Sequence, residues 1–147
     1  MNSTPYKVQR IFLLDFYINE DFPFFAYFYV KLQEAYAAEK NEVGGWSAIG
    51  YTAPGEKKDS LNFTSSNFNY VGGGAAWSAS NIAKLNDCPA VTSPSISKNN
   101  WKIEAEMKDA AQGDGAVVVT RTVTSGCEGL TPSFSSIGTS KSTSTGG

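Results

Sequence analysis

The chain has 147 residues, of which 41% are hydrophobic and 18% charged, with a formal net charge of −2 and a pI near 5.1. That length allows one domain with short appendages, and the lack of a basic excess argues against nucleic acid or an anionic membrane surface as a partner. The sequence contains no histidine, which removes the commonest general base and the commonest transition-metal ligand. No enzyme, cofactor or structural metal is therefore expected.

Residues 1–23 are rich in aromatic residues and interrupted by Asp15, Glu20, Asp21 and Pro23. Lys7 and Arg10 precede Ile11-Phe-Leu-Leu14, but Asp15 ends that run too early for a secretory signal. From Phe24 to about Asn41 the spacing predicts a helix. Phe25, Phe28, Leu32, Ala35 and Tyr36 form its expected core face, and Gly44-Gly45 its expected stop. Trp46 to Tyr51 is a short apolar stretch, and Pro54-Gly55 marks a turn before the charged run Glu56 to Asp59. Leu61 to Val71 predicts a strand, Gly72-Gly-Gly74 breaks it, and Ala75 to Ser80 predicts the returning strand.

Ile82 and Leu85 then fall in a short turn, followed by Cys88-Pro89 and a Ser-rich loop to Asn100. Trp101 to Met107 alternates apolar and charged residues, and Val117 to Val123 is β-branched; with Gly113-Asp114-Gly115 between them they predict a hairpin. Residues 135–147 are almost all Ser, Thr and Gly and predict a disordered tail. The sum is an α+β domain, an N-terminal helix packed on an antiparallel sheet of about four strands.

Cys88 and Cys127 are the only cysteines. They are either an oxidised bridge or two buried thiols. The abundance of Ser, Thr, Asn and Gly favours the bridge and an extracellular setting.

Each remaining motif has a functional and a structural reading. Trp46, Trp77, Tyr51 and Tyr70, with Trp101, could form a sugar-stacking platform or fill the core of a leucine-poor sheet. Asn2-Ser3-Thr4 and Asn62-Phe63-Thr64 match the N-glycosylation pattern, which also arises by chance. Asp87, Asp109, Asp114 and Glu128 could line a calcium site, but their spacing fits no EF-hand and suits solvated turns. Glu104 and Glu106 share a strand face, as paired glycosidase carboxylates might be placed, yet they alternate with Lys102 and Lys108 as on a solvent face.

Tyr29-Val-Lys-Leu-Gln-Glu-Ala-Tyr36, Glu39-Lys-Asn-Glu-Val-Gly-Gly-Trp46 and Ile49-Gly-Tyr51 together resemble the globular part of bacterial type IV pilins. Phe68-Asn-Tyr70, Trp77-Ser-Ala79, Leu85-Asn-Asp-Cys88 and Cys127-Glu-Gly-Leu-Thr-Pro-Ser-Phe134 follow in the same order as the later landmarks of that layout. The resemblance covers roughly residues 28–138. It implies a helix on a four-stranded antiparallel sheet, with the Cys88–Cys127 loop as the disulfide-closed C-terminal region. It further implies a non-enzymatic subunit of an extracellular pilus used in adhesion or motility, with other pilin subunits as partners. A pseudopilin of a secretion system and a polysaccharide-binding surface module are the alternatives. Residues 1–27 lack the apolar membrane helix that opens a pilin, since Asp15, Glu20, Asp21 and Pro23 lie along its path. They are expected to be other than native pilin sequence, with the body at 28–134 and the tail at 135–147.

Overall fold

In a computed structural model, residues 22–108 and 117–138 are described. A 19-residue helix, α1 (Phe22–Lys40), comes first. Pro23 lies in its first turn, where a missing N–H costs no helical bond, and Lys40 lies in its last turn, where a cation suits the helix dipole. The stop comes earlier than the glycine pair. Asn41 adopts a left-handed conformation (φ 59°), and its N–H closes the helix on Ala37 O at 2.8 Å. Helix α1 starts at Phe22, two residues before the expected start, and Ala26 is fully buried.

A one-turn helix, α2 (Trp46–Ile49), leads into six strands: β1 (Glu56–Asp59), β2 (Asn62–Thr64), β3 (Phe68–Gly73), β4 (Ala76–Asn81), β5 (Trp101–Met107) and β6 (Val117–Val123). They form one antiparallel sheet in sequence order, β1 through β6. The fold class is α+β as expected, but the sheet has six strands rather than about four. Two local causes account for the difference. The stretch Leu61 to Val71 is divided by a turn, in which Ser65 Oγ accepts the Phe68 N–H at 3.1 Å and donates to Phe68 O at 3.2 Å. The charged run Glu56 to Asp59, which carries no apolar signal, pairs with β2 as an exposed edge.

Register places the aromatic residues on one face. Phe63, Tyr70, Ala79, Trp101 and Val123 form a continuous cross-strand row, and Gly72, Trp77, Ile103 and Arg121 form the next. Helix α1 lies over β5 and β6 on that face, while Trp46 of α2 covers Gly72, where any side chain would collide with its indole. Beyond β6, two 3-10 turns (Glu128–Leu130 and Phe134–Ser136) continue the fold into the interval between helix and sheet. Residues 134–138 are thus an ordered part of the domain, and Gly138 packs against Val30 of α1. The rest of the expected tail, 139–147, lies outside the described residues, as does the turn at Gly113 to Gly115.

Candidate functional site

The helix presents two unlike faces. Ala26, Tyr29, Val30, Gln33 and Ala37 are buried, at spacings of three, four, seven and eleven from the first. The expected core face is therefore rotated by one residue, about 100°: Phe28 and Ala35 are exposed, while Phe25, Leu32 and Tyr36 are half-buried. Periodicity failed because the chain from Phe24 to Val30 is apolar or aromatic all round, and because the buried stripe contains a glutamine. Gln33 is fully buried yet satisfied. Its Nε2 donates to Gly44 O at 2.7 Å and to Tyr29 Oη at 2.9 Å, and its Oε1 accepts the Gly44 N–H at 3.2 Å. This side chain ties the segment after the helix back onto it.

The opposite face carries Phe24, Tyr27 and Phe28, with relative exposures of 52%, 44% and 37%. The rings of Phe24 and Phe28 stack at 5.9 Å with planes 7° apart, Phe25 meets Phe24 edge-on at 5.5 Å, and Lys31 Nζ lies 5.5 Å from the centre of the Tyr27 ring. The three rings and Lys31 thus form one exposed, largely aromatic patch on the helix.

The aromatic residues proposed as a sugar platform are elsewhere. Trp46, Trp77, Tyr51 and Tyr70 have relative exposures of 1%, 0%, 5% and 0%, and Trp101 is also fully buried. They pack edge-on and tilted in the core, Trp46 against Tyr51 at 4.8 Å and Phe68 against Trp101 at 5.9 Å. The indole N–H groups are partnered inside the fold: Trp46 with Ala76 O at 3.0 Å, Trp77 with Tyr51 Oη at 2.7 Å, and Trp101 with Thr131 Oγ1 at 2.8 Å. No flat ring from this set reaches the surface, so they cannot stack on a sugar in this fold. Burial holds the Tyr29 and Tyr51 phenols well above the usual tyrosine range, and the hydrogen bonds from Gln33 and Trp77 only partly oppose it.

Cys88 and Cys127 are bonded, with Cα atoms 4.5 Å apart, and both are fully buried. Two asparagines that sequence reasoning passed over hold this region. Asn81 Nδ2 donates to the carbonyls of Ala83, Cys88 and Pro89, and Asn100 Nδ2 donates to Asn81 Oδ1 and Pro89 O. The segment 82–100 is thereby pinned at both ends, beside the bridge. Arg121, also overlooked, reaches from β6 to Ile137 O at 2.6 Å, and burial lowers its pKa against the opposing pull of Glu34. An Asn flanking each end of a long loop, and an Arg in a β-branched strand, were the available signals.

The other candidate groups do not converge. No set of three or more metal-ligating side chains comes together among the described residues. Asp109 and Asp114 lie outside those residues; Asp87 is exposed, and Glu128 accepts the Gly126 N–H at 2.9 Å. Glu104 and Glu106 are exposed on the outer sheet face, and Glu104 pairs with Lys102 at 3.3 Å. Asn62 donates to both carboxylate oxygens of Asp59, at 2.9 and 3.1 Å, which with the Leu61 N–H lowers the Asp59 pKa. Among the described residues no helix is long and apolar enough to cross a membrane. Compared with protein-family models, curated proteins and solved structures, the chain matches none.

Proposed function

We propose that this chain is a non-enzymatic structural subunit of an extracellular filament of the type IV pilin kind, with its partners being other subunits. The observation that carries the proposal is the exposed aromatic stripe Phe24, Tyr27 and Phe28 on α1, a helix whose other face is fully engaged with its own sheet. A helix buried on one side and aromatic on the other suits a spine that meets neighbouring helices. Two further features support the assignment. The helix lies over one face of an antiparallel sheet, and a bridge joins the loop before β5 to the segment after β6, so that the bridged span carries the last two strands. Adhesion or motility is the role such a filament would serve, with the sheet and the bridged segment forming its outer surface.

Immunogold labelling of the producing cells with antibody against the folded domain tests the proposal. Label along surface filaments is the expected result. Label confined to cell bodies or to soluble protein would overturn it.

A further inference from the structure

A six-stranded sheet in sequence order leaves two edges, β1 and β6, and they differ. β1 has four residues, Glu56-Lys-Lys-Asp59, exposed at every position, with its register broken between Lys57 and Asp59. Short length, charge and irregularity are the features that keep an edge from pairing. β6 runs seven residues, Val-Val-Val-Thr-Arg-Thr-Val, in unbroken register with β5. Its one charge, Arg121, is turned to the inner face and held by Ile137 O.

The ladder fixes which backbone groups of β6 are free. The Thr124 N–H bonds Asn100 O at 2.9 Å, and antiparallel bonding alternates along a strand. Val118, Thr120 and Thr122 therefore bond to β5, while the N–H and C=O groups of Val117, Val119, Arg121 and Val123 point away from the sheet. Among the described residues, the one hydrogen bond to these outward groups is from Arg121 Nη1 to Val119 O at 3.3 Å. That carbonyl retains a second lone pair.

We propose that the β6 edge is a strand-addition surface whose partner is β6 of a second copy of this chain, paired antiparallel about Thr120. The inference does not depend on the filament assignment. Antiparallel pairing about Thr120 sets Val117 opposite Val123 of the second copy and Val119 opposite Arg121 of the second copy, so outward groups face outward groups. No like charges stand directly opposite. On the outer face, Glu106 is beside Val118 and Lys102 beside Thr122. Two of the three outer-face rows across the junction therefore run from Glu106 through Val118 to Thr122 and Lys102 of the second copy, acid at one end and base at the other, while the central row joins the two Thr120 residues, each beside its own Glu104. Val118, which is 37% exposed, would gain cover from Thr122 of the second copy. This self-complementarity is what selects a second copy over an unrelated strand.

Sedimentation equilibrium of the full chain over a wide concentration range tests the proposal. The expected result is a shift from 15.8 kDa to twice that mass. Val119→Pro removes an outward N–H and leaves the β5 ladder intact, so it should raise the dimer dissociation constant at least about 10-fold. Thr120→Glu, at an exposed position beside Glu104, sets two carboxylates opposite each other in an all-acid row and should raise it about 5-fold. Thr120→Glu decides the matter if the proline variant fails to fold. Phe24→Ser with Phe28→Ser should leave the dimer unchanged. A monomer at every concentration would overturn the proposal, including the case in which the edge takes only an extended peptide of another protein. So would a dimer that survives both β6 variants, or one that the helix variants abolish.

Discussion

Aromatic rings occupy two regions of this molecule under opposite conditions. Between helix and sheet, Trp46, Trp77, Trp101, Tyr29 and Tyr51 are buried, and their N–H and O–H tips are hydrogen-bonded inside the fold. On the outer face of α1, Phe24, Tyr27 and Phe28 are exposed, and the two phenylalanines stack on each other. The same residue type thus serves two ends. Burial with a paired polar tip makes a ring part of the domain's own stability, whereas a ring left open to solvent adds little to it. Composition counts both sets alike; only the direction of each side chain separates them.

Substitutions in the first region should be the costliest. Trp77→Ala removes the fully buried indole that donates to Tyr51 Oη and stacks near Phe134 at 6.2 Å. It should lower unfolding free energy by about 3–5 kcal/mol in a urea titration. A change below about 1 kcal/mol would show that the inner layer is not packed as described.

The bridge closes the same layer from its C-terminal side, since the segment after Cys127 supplies Leu130, Thr131 and Phe134 to the core. Its ends are 39 residues apart in sequence, and a loop of that length gives about 4 kcal/mol of stabilisation in the chain-entropy model. The double variant Cys88→Ala with Cys127→Ala should lose most of that in a thermal melt. An unchanged melting temperature would mean that the segment holds its place by packing alone.

A third effect is read in alkali. The folded chain keeps the protons of the Tyr29 and Tyr51 phenols at pH values where the unfolded chain gives them up, above about pH 10. Their contribution is therefore complete below pH 10 and declines as pH rises beyond it, by about 1.4 kcal/mol per pH unit for each phenol. Tyr29→Phe should halve that slope in denaturation curves taken from pH 9 to 11. A slope equal to that of the parent chain would place Tyr29 outside the core.

The smallest effect on stability belongs to the second region. Phe24→Ser should change unfolding free energy by no more than about 0.5 kcal/mol, because an exposed ring loses little on truncation, and Phe28→Ser, whose ring also meets the buried Tyr51 at 6.3 Å, by about 1 kcal/mol. A loss near that of Trp77→Ala would erase the contrast between the two regions.

Much of this arrangement was legible in the residues, and the exceptions have physical causes. The hairpin of β5 and β6 showed because alternation and β-branching are strong signals, and Trp101, Ile103 and Ala105 are buried on one side as their spacing requires. The helix showed, but its orientation did not: six of the seven residues from Phe24 to Val30 are large and apolar or aromatic, and the true inner stripe includes the polar Gln33. Strand β1 was hidden because an edge protected by charge carries no hydrophobic pattern. The division between β2 and β3 rests on one serine bonding a residue three positions on, a signal too local for periodicity. Asn81 and Asn100 were illegible for a related reason. They are 19 residues apart, and only the folded chain brings them together.

The filament proposal is tested most directly by the accessibility of the outer helix face in two states. Hydroxyl-radical footprinting of Phe24, Tyr27 and Phe28 would be compared between the purified chain and the chain recovered in sheared surface filaments. The expected result is strong modification of the free chain and marked protection in filaments, with the buried Trp77 and Trp101 unmodified in both. Equal modification of the three rings in the two states, or no chain in the filaments at all, would contradict the assignment.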